Sequence, residues 1–378
     1  MSSTSNKVTI VFVSGRKDRI NSKEEMSKEF FYSYHYLKEK IKDIEIVEFN
    51  QNKSKKSFNK ILKILDKILR KITKLPFFMS EIISRKNYQI FKDTSHLILS
   101  NDRIACSILP IMYMLRKKGI RINITFFALG IFNENTKNRF ILFLKRKFLN
   151  MIVSLVDNIV FLGEGEYEHA SEKFKKLNSK FVFFPFCVDY KFWKTEKIDF
   201  KLKKGILFVG NDGKRDFMKL LDIAKAFPEI NFTVVTSMIK KEEIKTKNIR
   251  LIEGHWNFNI LSDGDLKKLY NESRLTIIPL HESLQPSGQS VALQSMSVGT
   301  PVVISKTEGF WDKSKFKNEK NIYLLENNQL SNWIESIKRI YFNENSLENV
   351  SLEGTSTIKE HFDMDIFNKN IEKLIGLN

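Results

Sequence analysis

The sequence predicts an α/β protein of two domains, each built on a parallel β-sheet covered by helices. The chain has 378 residues, which exceeds the length of one typical domain. Short apolar runs, such as 8–13 and 302–304, alternate with segments of helical periodicity, as expected for parallel strands joined by crossover helices. The alternation is interrupted at about 193–204 and restarts at 206, which indicates a boundary between two domains.

The stretch 275–304 shows this pattern most clearly. The apolar run 275–280 predicts a buried strand, and the polar segment 281–288 predicts the loop that follows it. Apolar residues then recur at helical spacing until Gly299 ends the helix, and Pro301 prevents its continuation. The run 302–304 is the next strand, so the whole stretch is a strand–loop–helix–strand unit.

The loop of this unit is a candidate ligand-binding site. It lies at the carboxyl end of a strand, where open α/β sheets bind their ligands. The helix that follows opens with the amides of Gly288, Gln289 and Ser290. Such an end carries unpaired N–H donors and the positive end of the helix dipole, so it attracts phosphate groups or sugar hydroxyls.

Composition narrows the class of protein. With 42% hydrophobic and 12% aromatic residues the chain can form sizeable cores, and no stretch approaches the roughly 20 apolar residues of a membrane span. The first residues lead directly into a strand, so we expect no signal peptide. Cys106 and Cys187 are expected to be buried free thiols in a reducing, cytoplasmic compartment. The six His residues are scattered, so we expect no bound metal.

The positive charge is concentrated in one part of the chain. The formal net charge is +19, and residues 51–150 alone hold 22 Lys and Arg against 5 Asp and Glu. A general compositional bias would have spread this excess along the whole sequence. The basic block therefore indicates a surface with an anionic partner.

Within the basic block, the segment 53–75 has the pattern of an amphipathic helix. Its apolar face could pack on the protein's own sheet, or the helix could lie on an anionic membrane surface. Nucleic acid is not the expected partner, because no recognisable binding motif or interleaved aromatic residue accompanies the lysines. The apolar face consists of Ile61, Ile64, Leu65, Ile68, Leu69, Ile72 and Leu75. The candidate membrane or acceptor surface consists of Lys60, Lys63, Lys67, Arg70, Lys71 and Lys74.

The first strand leads into a loop with Gly15, which lets the backbone approach a ligand closely. Ser22 followed by Glu25 has the spacing of a capping box and predicts a helix that continues to about Lys40.

The run from Gln294 to Val303 reads QSMSVGTPVV and resembles the nucleotide-sugar motif of retaining glycosyltransferases with the GT-B architecture (glycosyl transferases group 1, family 4-like). That family typically reads Glu-Ala-Met-Ala-x-Gly-x-Pro-Val-Val, so Gln294 stands at the place of its second Glu. The place of its first Glu, eight residues earlier, is Pro286. Both carboxylates of the usual pair are therefore absent, and Glu282 is the only acid in the loop.

The resemblance implies two facing Rossmann-like domains with parallel sheets and a cleft between them. Residues 1–192 would form the acceptor-side domain, 205–360 the nucleotide-sugar-binding domain, and 361–378 a helix that crosses back to the first domain. The implied reaction moves a sugar from a nucleoside diphosphate donor to a hydroxyl of a glycan or lipid-linked glycan, with retention. Bacterial cell-surface polysaccharide or glycolipid synthesis at the inner membrane face is the implied setting. The nucleotide sugar would be a substrate, and neither cofactor nor metal is expected.

The resemblance also implies roles for individual residues. In the loop 210–216, which we expect to be exposed, Lys214 and Arg215 would grip the diphosphate of the donor. Gln294 would hydrogen-bond the ribose, and a Glu should be tolerated there because relatives carry one. No general base is obvious, but in retaining members the leaving phosphate itself can accept the acceptor's proton. The candidate catalytic residues are Lys214, Arg215 and Glu282. The candidate donor-binding residues are Gly15, Gly210, Asn211, Gly254, His255, Ser287, Gly288, Gln289, Ser290 and Gln294.

Three other functions remain open from the sequence. A sugar-nucleotide epimerase can share this fold, although it needs titratable groups in the cleft and the sequence offers few. A non-catalytic nucleotide-sugar or anion-binding protein would explain the missing carboxylate pair. A basic nucleic-acid-binding protein would show binding that depends steeply on salt without sequence preference.

Overall fold

The structure, a computed structural model, describes residues 7–22, 24–49, 57–134, 136–195, 200–254 and 261–377. In these residues two six-stranded sheets follow one another along the chain. All the strand pairs are parallel, so strands of the same sheet are connected by crossovers, mostly helical, that run back over the sheet. The two-domain α/β architecture predicted from the sequence is confirmed.

The first sheet has the strand order β2-β1-β3-β4-β5-β6. The chain reverses its direction across the sheet between β1 and β3, and this point is a topological switch. The strands are β1 Val8–Phe12, β2 Ile44–Glu48, β3 His96–Leu99, β4 Asn123–Ala128, β5 Asn158–Phe161 and β6 Phe181–Phe183. The helices are α1 Arg16–Asn21, α2 Tyr34–Lys40, α3 Ser57–Thr73, α4 Arg85–Lys92, α5 Asp102–Ser107, α6 Leu109–Lys117, α7 Arg139–Leu155, α8 Glu164–Lys173 and α9 Tyr190–Trp193.

The second sheet has the order β12-β11-β10-β7-β8-β9, with its switch point between β7 and β10. The crossovers that follow these two strands run to opposite faces of the sheet, and the crevice at their starting points is where the sequence analysis placed the ligand. The strands are β7 Ile206–Val209, β8 Phe232–Val235, β9 Ile249–Ile252, β10 Leu275–Ile278, β11 Val302–Ser305 and β12 Tyr323–Leu325. The helices are α10 Phe217–Ala226, α11 Asp263–Glu272, α12 Gln289–Ser297, α13 Leu330–Tyr341, α14 Glu344–His361 and α15 Met364–Leu374.

The helix predicted from Ser22 to about Lys40 is wrong. Ser22 follows the short helix α1 instead of starting one, and α2 begins only at Tyr34. Between the two, Tyr32 and Ser33 have φ angles of 48° and 67°, a left-handed conformation that ends helical structure. A short 3₁₀ helix at Glu29–Phe31 occupies the middle of the segment and turns Glu29 into the protein interior.

The last helix, α15, packs against residues of the first domain. Phe367 is 2% exposed, and its ring lies 6.3 Å from that of Tyr32, 6.0 Å from that of Phe127 and 5.3 Å from that of Phe184. Near the end of the helix, the Tyr36 hydroxyl donates to Glu372 at 2.6 Å. Helix α15 therefore packs on the first domain, although it follows the second sheet in the chain.

Truncation of Phe367 should loosen this contact. Phe367→Ala is expected to lower the free energy of unfolding by about 3–5 kcal/mol, because it removes a fully buried aromatic ring and leaves a cavity. Urea denaturation followed by circular dichroism measures the change. Ile366→Ala, at the more exposed neighbouring position of the same helix, is the matched control and should cost much less. Equal effects of the two variants would show that the packing of α15 on the first domain does not depend on the ring contacts of Phe367.

Candidate functional site

The carboxyl ends of the two sheets face each other, and their loops touch. Gln289, the first residue of α12, donates from its side-chain amide to the carbonyl of Leu162 after β5 at 3.0 Å. A Cβ on Gly163 would lie 2.8 Å from the Cβ of Pro286, so glycine permits this close approach. The candidate ligand loop of the second domain is thus enclosed by loops of the first.

A pocket lies beside this contact, at the ends of β7, β8 and β9. On the first-domain side, the segment after α1 forms its wall and is fastened by the Asp263 carboxylate. That carboxylate forms an ion pair with Arg19 and accepts from both the backbone N–H and the hydroxyl of Ser27 at 2.9 Å. The pocket is lined by Arg19, Ser22, Glu24, Glu25, Met26, Val209, Asn211, Val235, Gly254, Leu261, Ser262, Asp263 and Leu266.

Asn211 ties together the strand ends that form the floor of the pocket. Its side-chain amide donates to the carbonyl of Gly254, and its side-chain oxygen accepts from the N–H of Ser237 at 2.6 Å and the hydroxyl of Thr236 at 3.0 Å. The structure thus brings together Asn211 and Gly254, two of the candidate donor-binding residues. His255, which the sequence also assigned to the donor, lies outside the described residues.

The loop after β7 is joined to the loop after β10 by backbone pairing. The N–H of His281 donates to the carbonyl of Lys214 at 2.8 Å, and the N–H of Asp216 donates to that of Pro279 at 2.9 Å. The strands β7 and β10 are neighbours in the sheet, so this pairing continues their contact into the crevice. Lys214 and Arg215 are therefore held beside the segment that leads to α12.

Arg215 is buried, which contradicts the expectation of an exposed loop. The residue is 4% exposed, and its Nη1 lies 3.1 Å from the carboxylate of Asp212 without forming a well-aligned hydrogen bond in the described structure. Burial lowers the pKa of Arg215, and the Asp212 carboxylate opposes that effect. A Cβ on Gly210 would lie 2.5 Å from the Arg215 Nε, so the glycine makes room for the guanidinium. Lys214, by contrast, is half-buried.

Helix α12 starts at the crevice with a glycine in a left-handed conformation and no acid in its first turn. Gly288, its N-cap, has a φ of 79°, and a Cβ there would lie 2.9 Å from Ile278 and 3.0 Å from Ile304, so only glycine fits. The first turn, which includes Ser290, contains no acidic residue. Ser287 is 7% exposed, and its buried hydroxyl has no hydrogen-bond partner among the described residues.

Glu282 and Gly15 already have intramolecular roles. The Glu282 carboxylate, in the loop after β10, is exposed and accepts from the backbone N–H groups of Ser283 and Glu308 at 3.0 and 2.7 Å. Gly15 has a φ of 86° and precedes α1, but the first amides of that helix are bound by Glu48, which accepts from Arg16 at 2.6 Å. The end of α1 is therefore occupied by a carboxylate of the protein itself.

Gln294 forms a buried link between the two domains. Its side-chain amide donates to Glu29 of the first domain at 2.9 Å, and its oxygen accepts from the Tyr270 hydroxyl at 3.2 Å. Glu29 also accepts from the indole N–H of Trp193 at 2.9 Å. Burial raises the pKa of Glu29 to about 7. The hydrogen bonds from Gln294 and Trp193 oppose this rise, and the nearby carboxylate of Asp189 adds to it. Sequence reasoning missed Glu29, because its partners lie far along the chain.

A second buried cluster shapes the first-domain side of the cleft. Glu166 accepts from the N–H groups of Gly130 and Phe132 at 2.8 and 3.2 Å, and Asp102 accepts from that of Leu129 at 2.9 Å. The two carboxylates hold the loop after β4, and a Cβ on Gly130 would lie 3.1 Å from Gln285 in the facing domain. Burial, reinforced for Glu166 by the neighbouring Asp102, raises the pKa of Asp102 to about 7 and that of Glu166 to about 8.

The six basic residues assigned to a membrane or acceptor surface lie on α3 and directly after it, not at the crevice. Among the described residues, no group of three or more His, Cys, Asp and Glu side chains could hold a metal ion. In the same part of the chain, no helix has both the length and the apolar character needed to cross a membrane.

Gln294→Glu should destabilise the protein, contrary to the tolerance expected from the resemblance. The variant would place a second carboxyl about 2.9 Å from that of Glu29 inside the protein, and a buried unpaired charge costs about 3–5 kcal/mol. Protonation relieves the repulsion, so the loss in the free energy of unfolding should be large at pH 8 and small at pH 5. Urea denaturation at the two pH values measures it.

The exchanged pair is the control for this prediction. Glu29→Gln combined with Gln294→Glu restores one carboxyl and one amide, so it should recover most of the stability lost by Gln294→Glu. A Gln294→Glu variant as stable as the wild type at pH 8 would contradict the contact.

The buried carboxyls of Asp102 and Glu166 should make stability depend on pH. The pKa of Asp102 is raised from 3.8 to about 7, and that of Glu166 from 4.5 to about 8. Between the unfolded and the folded pKa of each group, the folded state therefore holds more protons than the unfolded state. The free energy of unfolding should therefore fall as the pH rises, by at least about 1.4 kcal/mol between pH 5 and pH 8. Glu166→Gln should flatten this dependence, whereas Glu172→Gln, at an exposed position of the same helix, should not. Parallel pH profiles for all three proteins would show that the pair does not titrate as described.

Comparison with known proteins agrees with the architecture. No protein-family model and no curated protein sequence matches the chain. HepE from Anabaena, solved in complex with UDP-glucose, superposes with a TM-score of 0.66 and 12% identity over 98% of this chain and 99% of its own. Sucrose-phosphate synthase from Thermosynechococcus elongatus gives a TM-score of 0.66 with 10% identity over 98% of each chain. A glycosyltransferase from Rickettsia africae gives 0.63 with 14% identity over 99% of this chain and 100% of its own. The protein thus has the GT-B fold of two facing Rossmann-like domains.

Proposed function

We propose that the protein is a glycosyltransferase that moves a sugar from a nucleoside diphosphate donor to a hydroxyl acceptor. The observation that carries the proposal is the convergence of two anion-binding features at one switch point. The buried guanidinium of Arg215 and the amino end of α12 lie on loops joined by backbone pairing. A pocket lies beside them, at the ends of β7, β8 and β9. In open α/β sheets this is where nucleotides bind. The solved structures with the same fold include HepE with bound UDP-glucose.

The charge of the leaving diphosphate explains why these groups are needed. Cleavage of the bond between sugar and phosphate leaves negative charge on the phosphate oxygens, and positive groups fixed in place stabilise that charge. In the proposed complex Arg215 and Lys214 bind the diphosphate, and the amides of Gly288, Gln289 and Ser290 bind phosphate or donor sugar. The unpaired hydroxyl of Ser287 supports this placement, because a buried polar group without a partner favours a ligand that supplies one.

The nucleoside end of the donor is proposed to occupy the pocket near Gly210, Asn211 and Gly254. A ribose contact of Gln294 remains part of the proposal, and it requires the amide to exchange its bond to Tyr270 or Glu29 for a ribose hydroxyl. Glu282 remains the acidic candidate of the loop, provided that the donor releases it from the backbone N–H groups that it accepts. We also propose that the reaction retains the configuration of the sugar, with the leaving phosphate as the base. The proposed reaction uses no cofactor or metal.

The acceptor is proposed to bind on the first-domain side, close to the loop after β4. A glycan or a lipid-linked glycan of a bacterial cell surface is the acceptor class that the sequence resemblance suggests, with the enzyme in the cytoplasm and peripheral at the inner membrane face. The lysine-rich surface of the first domain supports an anionic or membrane-bound acceptor.

A non-catalytic nucleotide-sugar-binding protein is the second candidate, and one observation favours it. The usual carboxylate pair is absent, and the single acid of the loop, Glu282, already accepts two backbone N–H groups. Incubation with nucleotide sugars and product analysis by mass spectrometry separates the candidates. A transferase releases nucleoside diphosphate, an epimerase changes the sugar while it remains on the nucleotide, and a binding protein does neither.

Removal of the positive charge from the loop after β7 should weaken donor binding. Each charge-assisted hydrogen bond contributes roughly 1.5–3 kcal/mol, so Lys214→Ala and Arg215→Met should each raise the Kd at least about tenfold. Methionine keeps much of the buried stem of Arg215, which protects the fold. Isothermal titration calorimetry with UDP and the other nucleoside diphosphates measures the effect. Lys225→Ala, at an exposed position of α10, is the control; equal affinities for all four proteins would refute the diphosphate site.

A further inference from the structure

Helix α3 is attached to the first domain by a face that includes its single acid. Leu62 is 7% exposed and belongs to the core of the first domain. Asp66 is 2% exposed and accepts from the backbone N–H groups of Met79 and Ser80 at 2.7 and 3.1 Å. These contacts fix the rotation of the helix about its axis.

With that rotation, the isoleucines of α3 face away from the protein. Ile61, Ile64, Leu65 and Ile68 are 57, 59, 42 and 48% exposed, and their spacing of i, i+3, i+4 and i+7 places them on one face. The alternative in which this apolar face packs on the protein's own sheet is therefore wrong for these four side chains. An apolar strip of this size on a surface indicates a binding site.

The basic residues form the adjacent face of the same helix. Lys60, Lys63, Lys67 and Lys71 are all exposed, at a spacing that follows the axis beside the isoleucines. The inward turn of Asp66 leaves no acid on either of the outer faces of the described helix. Helix α3 thus presents an apolar face and a cationic face side by side.

Helix α7 packs against α3 and also exposes aromatic rings beside cations. The rings of Phe77, just after α3, and Phe148 of α7 are 5.4 Å apart. The first turns of α7 expose Phe140 and Phe143 by 65 and 55%, and Lys147 lies over the Phe143 ring at 5.4 Å. Exposed aromatic rings next to cations are typical of the membrane interface.

We propose that α3 lies in the plane of an anionic lipid bilayer, with Ile61, Ile64, Leu65 and Ile68 inserted among the acyl chains and its lysines among the headgroups. The exposed rings on the first turns of α7 are proposed as a second contact with the same bilayer. The inference rests on the proposed function only for its purpose, which is to bring the crevice close to a lipid-linked acceptor. Bilayer binding itself can be tested without the donor.

The chemistry of the two faces selects a bilayer over other partners. A second copy of the chain packed through the same apolar strip would cover the isoleucines but would give the lysines no anion, because α3 has no acid on its outer faces, and an antiparallel pair would bring the lysines of both copies together. A soluble acidic glycan would satisfy the lysines and leave the isoleucines in water. A helix of 17 residues is about 25 Å long, too short and too charged to span a bilayer but suited to lie within its interface.

Vesicle co-sedimentation tests the proposal. We expect the wild-type protein to bind vesicles that contain phosphatidylglycerol and to bind pure phosphatidylcholine vesicles at least about tenfold more weakly. The isoleucine variant combines Ile61→Gln, Ile64→Gln and Ile68→Gln. It leaves the charge unchanged and should reduce binding at least about tenfold. The lysine variant combines Lys60→Gln, Lys63→Gln, Lys67→Gln and Lys71→Gln, and it should reduce binding to anionic vesicles and remove the dependence of binding on salt.

Matched variants on other surfaces serve as controls. A double variant, Phe342→Gln with Leu352→Gln, changes two exposed apolar residues of the second domain. It should leave vesicle binding unchanged. A combined Gln substitution of Lys175, Lys176, Lys245 and Lys247, which are exposed on other surfaces, removes the same charge as the α3 lysine variant and should have a smaller effect. Calorimetry with UDP separates this proposal from the donor site, because the α3 variants should bind nucleotide as the wild type does.

A fluorescent probe measures insertion directly. Cys106 and Cys187 are buried, so Ile64→Cys can be labelled selectively with an environment-sensitive dye. Its emission should shift to the blue with anionic vesicles, whereas a dye on Leu352→Cys should not respond. The proposal is overturned if the wild type does not sediment with anionic vesicles at low salt, or if the isoleucine variant binds like the wild type. Gel filtration that shows a dimer dissociated by the isoleucine variant, without vesicle binding, would also overturn it in favour of a second copy of the chain.

Discussion

The position of the two sheets depends on a carboxyl group that is buried between them. Glu29 comes from a short 3₁₀ helix of the first domain and accepts from Trp193, at the end of the first-domain chain, and from Gln294, in the helix that opens the candidate site. Aromatic and aliphatic side chains of both domains pack around it as one continuous core. A polar group in such surroundings must be satisfied by hydrogen bonds, so its partners cannot move independently. The starting point of α12 is thereby fixed relative to the first domain.

The cleft is shaped by acids that act as anchors for backbone. Asp263 holds the segment after α1 across the pocket at the ends of β7, β8 and β9, Asp102 and Glu166 hold the loop after β4, and Glu48 occupies the amino end of α1. One candidate position differs from these. The amino end of α12 has no acid in its first turn, and the loop that leads to it is paired with the loop that carries Arg215. The carboxylates of the protein that anchor the neighbouring loops therefore leave this helix end without an acid.

Much of the fold could be predicted, because parallel strands buried on both faces appear as uninterrupted apolar runs. The four residues of β10 are all buried, and the signals at Gly299 and Pro301 mark the end of α12 correctly. The helix predicted at 22–40 failed because Tyr32 and Ser33 adopt positive φ angles that neither residue type favours.

For the candidate site, the sequence identified the loops but not the directions of their side chains. The sequence located the loops after β7 and β10, and the structure joins them. The sequence could not show that Arg215 turns inward, because that direction depends on the space left by Gly210 and on the pairing with Leu280. It could not locate Glu29, whose partners are 164 and 265 residues away. Likewise, the rotation of α3 is decided by backbone N–H groups at 79 and 80 that no periodicity records.

The bond between Glu29 and Gln294 also has an evolutionary consequence. One carboxyl and one amide share a buried space, so a second carboxyl at position 294 is costly as long as Glu29 is retained. A related chain with a glutamate at the position of Gln294 should therefore carry an uncharged or basic residue at the position of Glu29. The two positions then change together, because the space between the domains holds one carboxyl and not two. Natural sequence variation at the two positions should accordingly be correlated, although they are far apart in the chain.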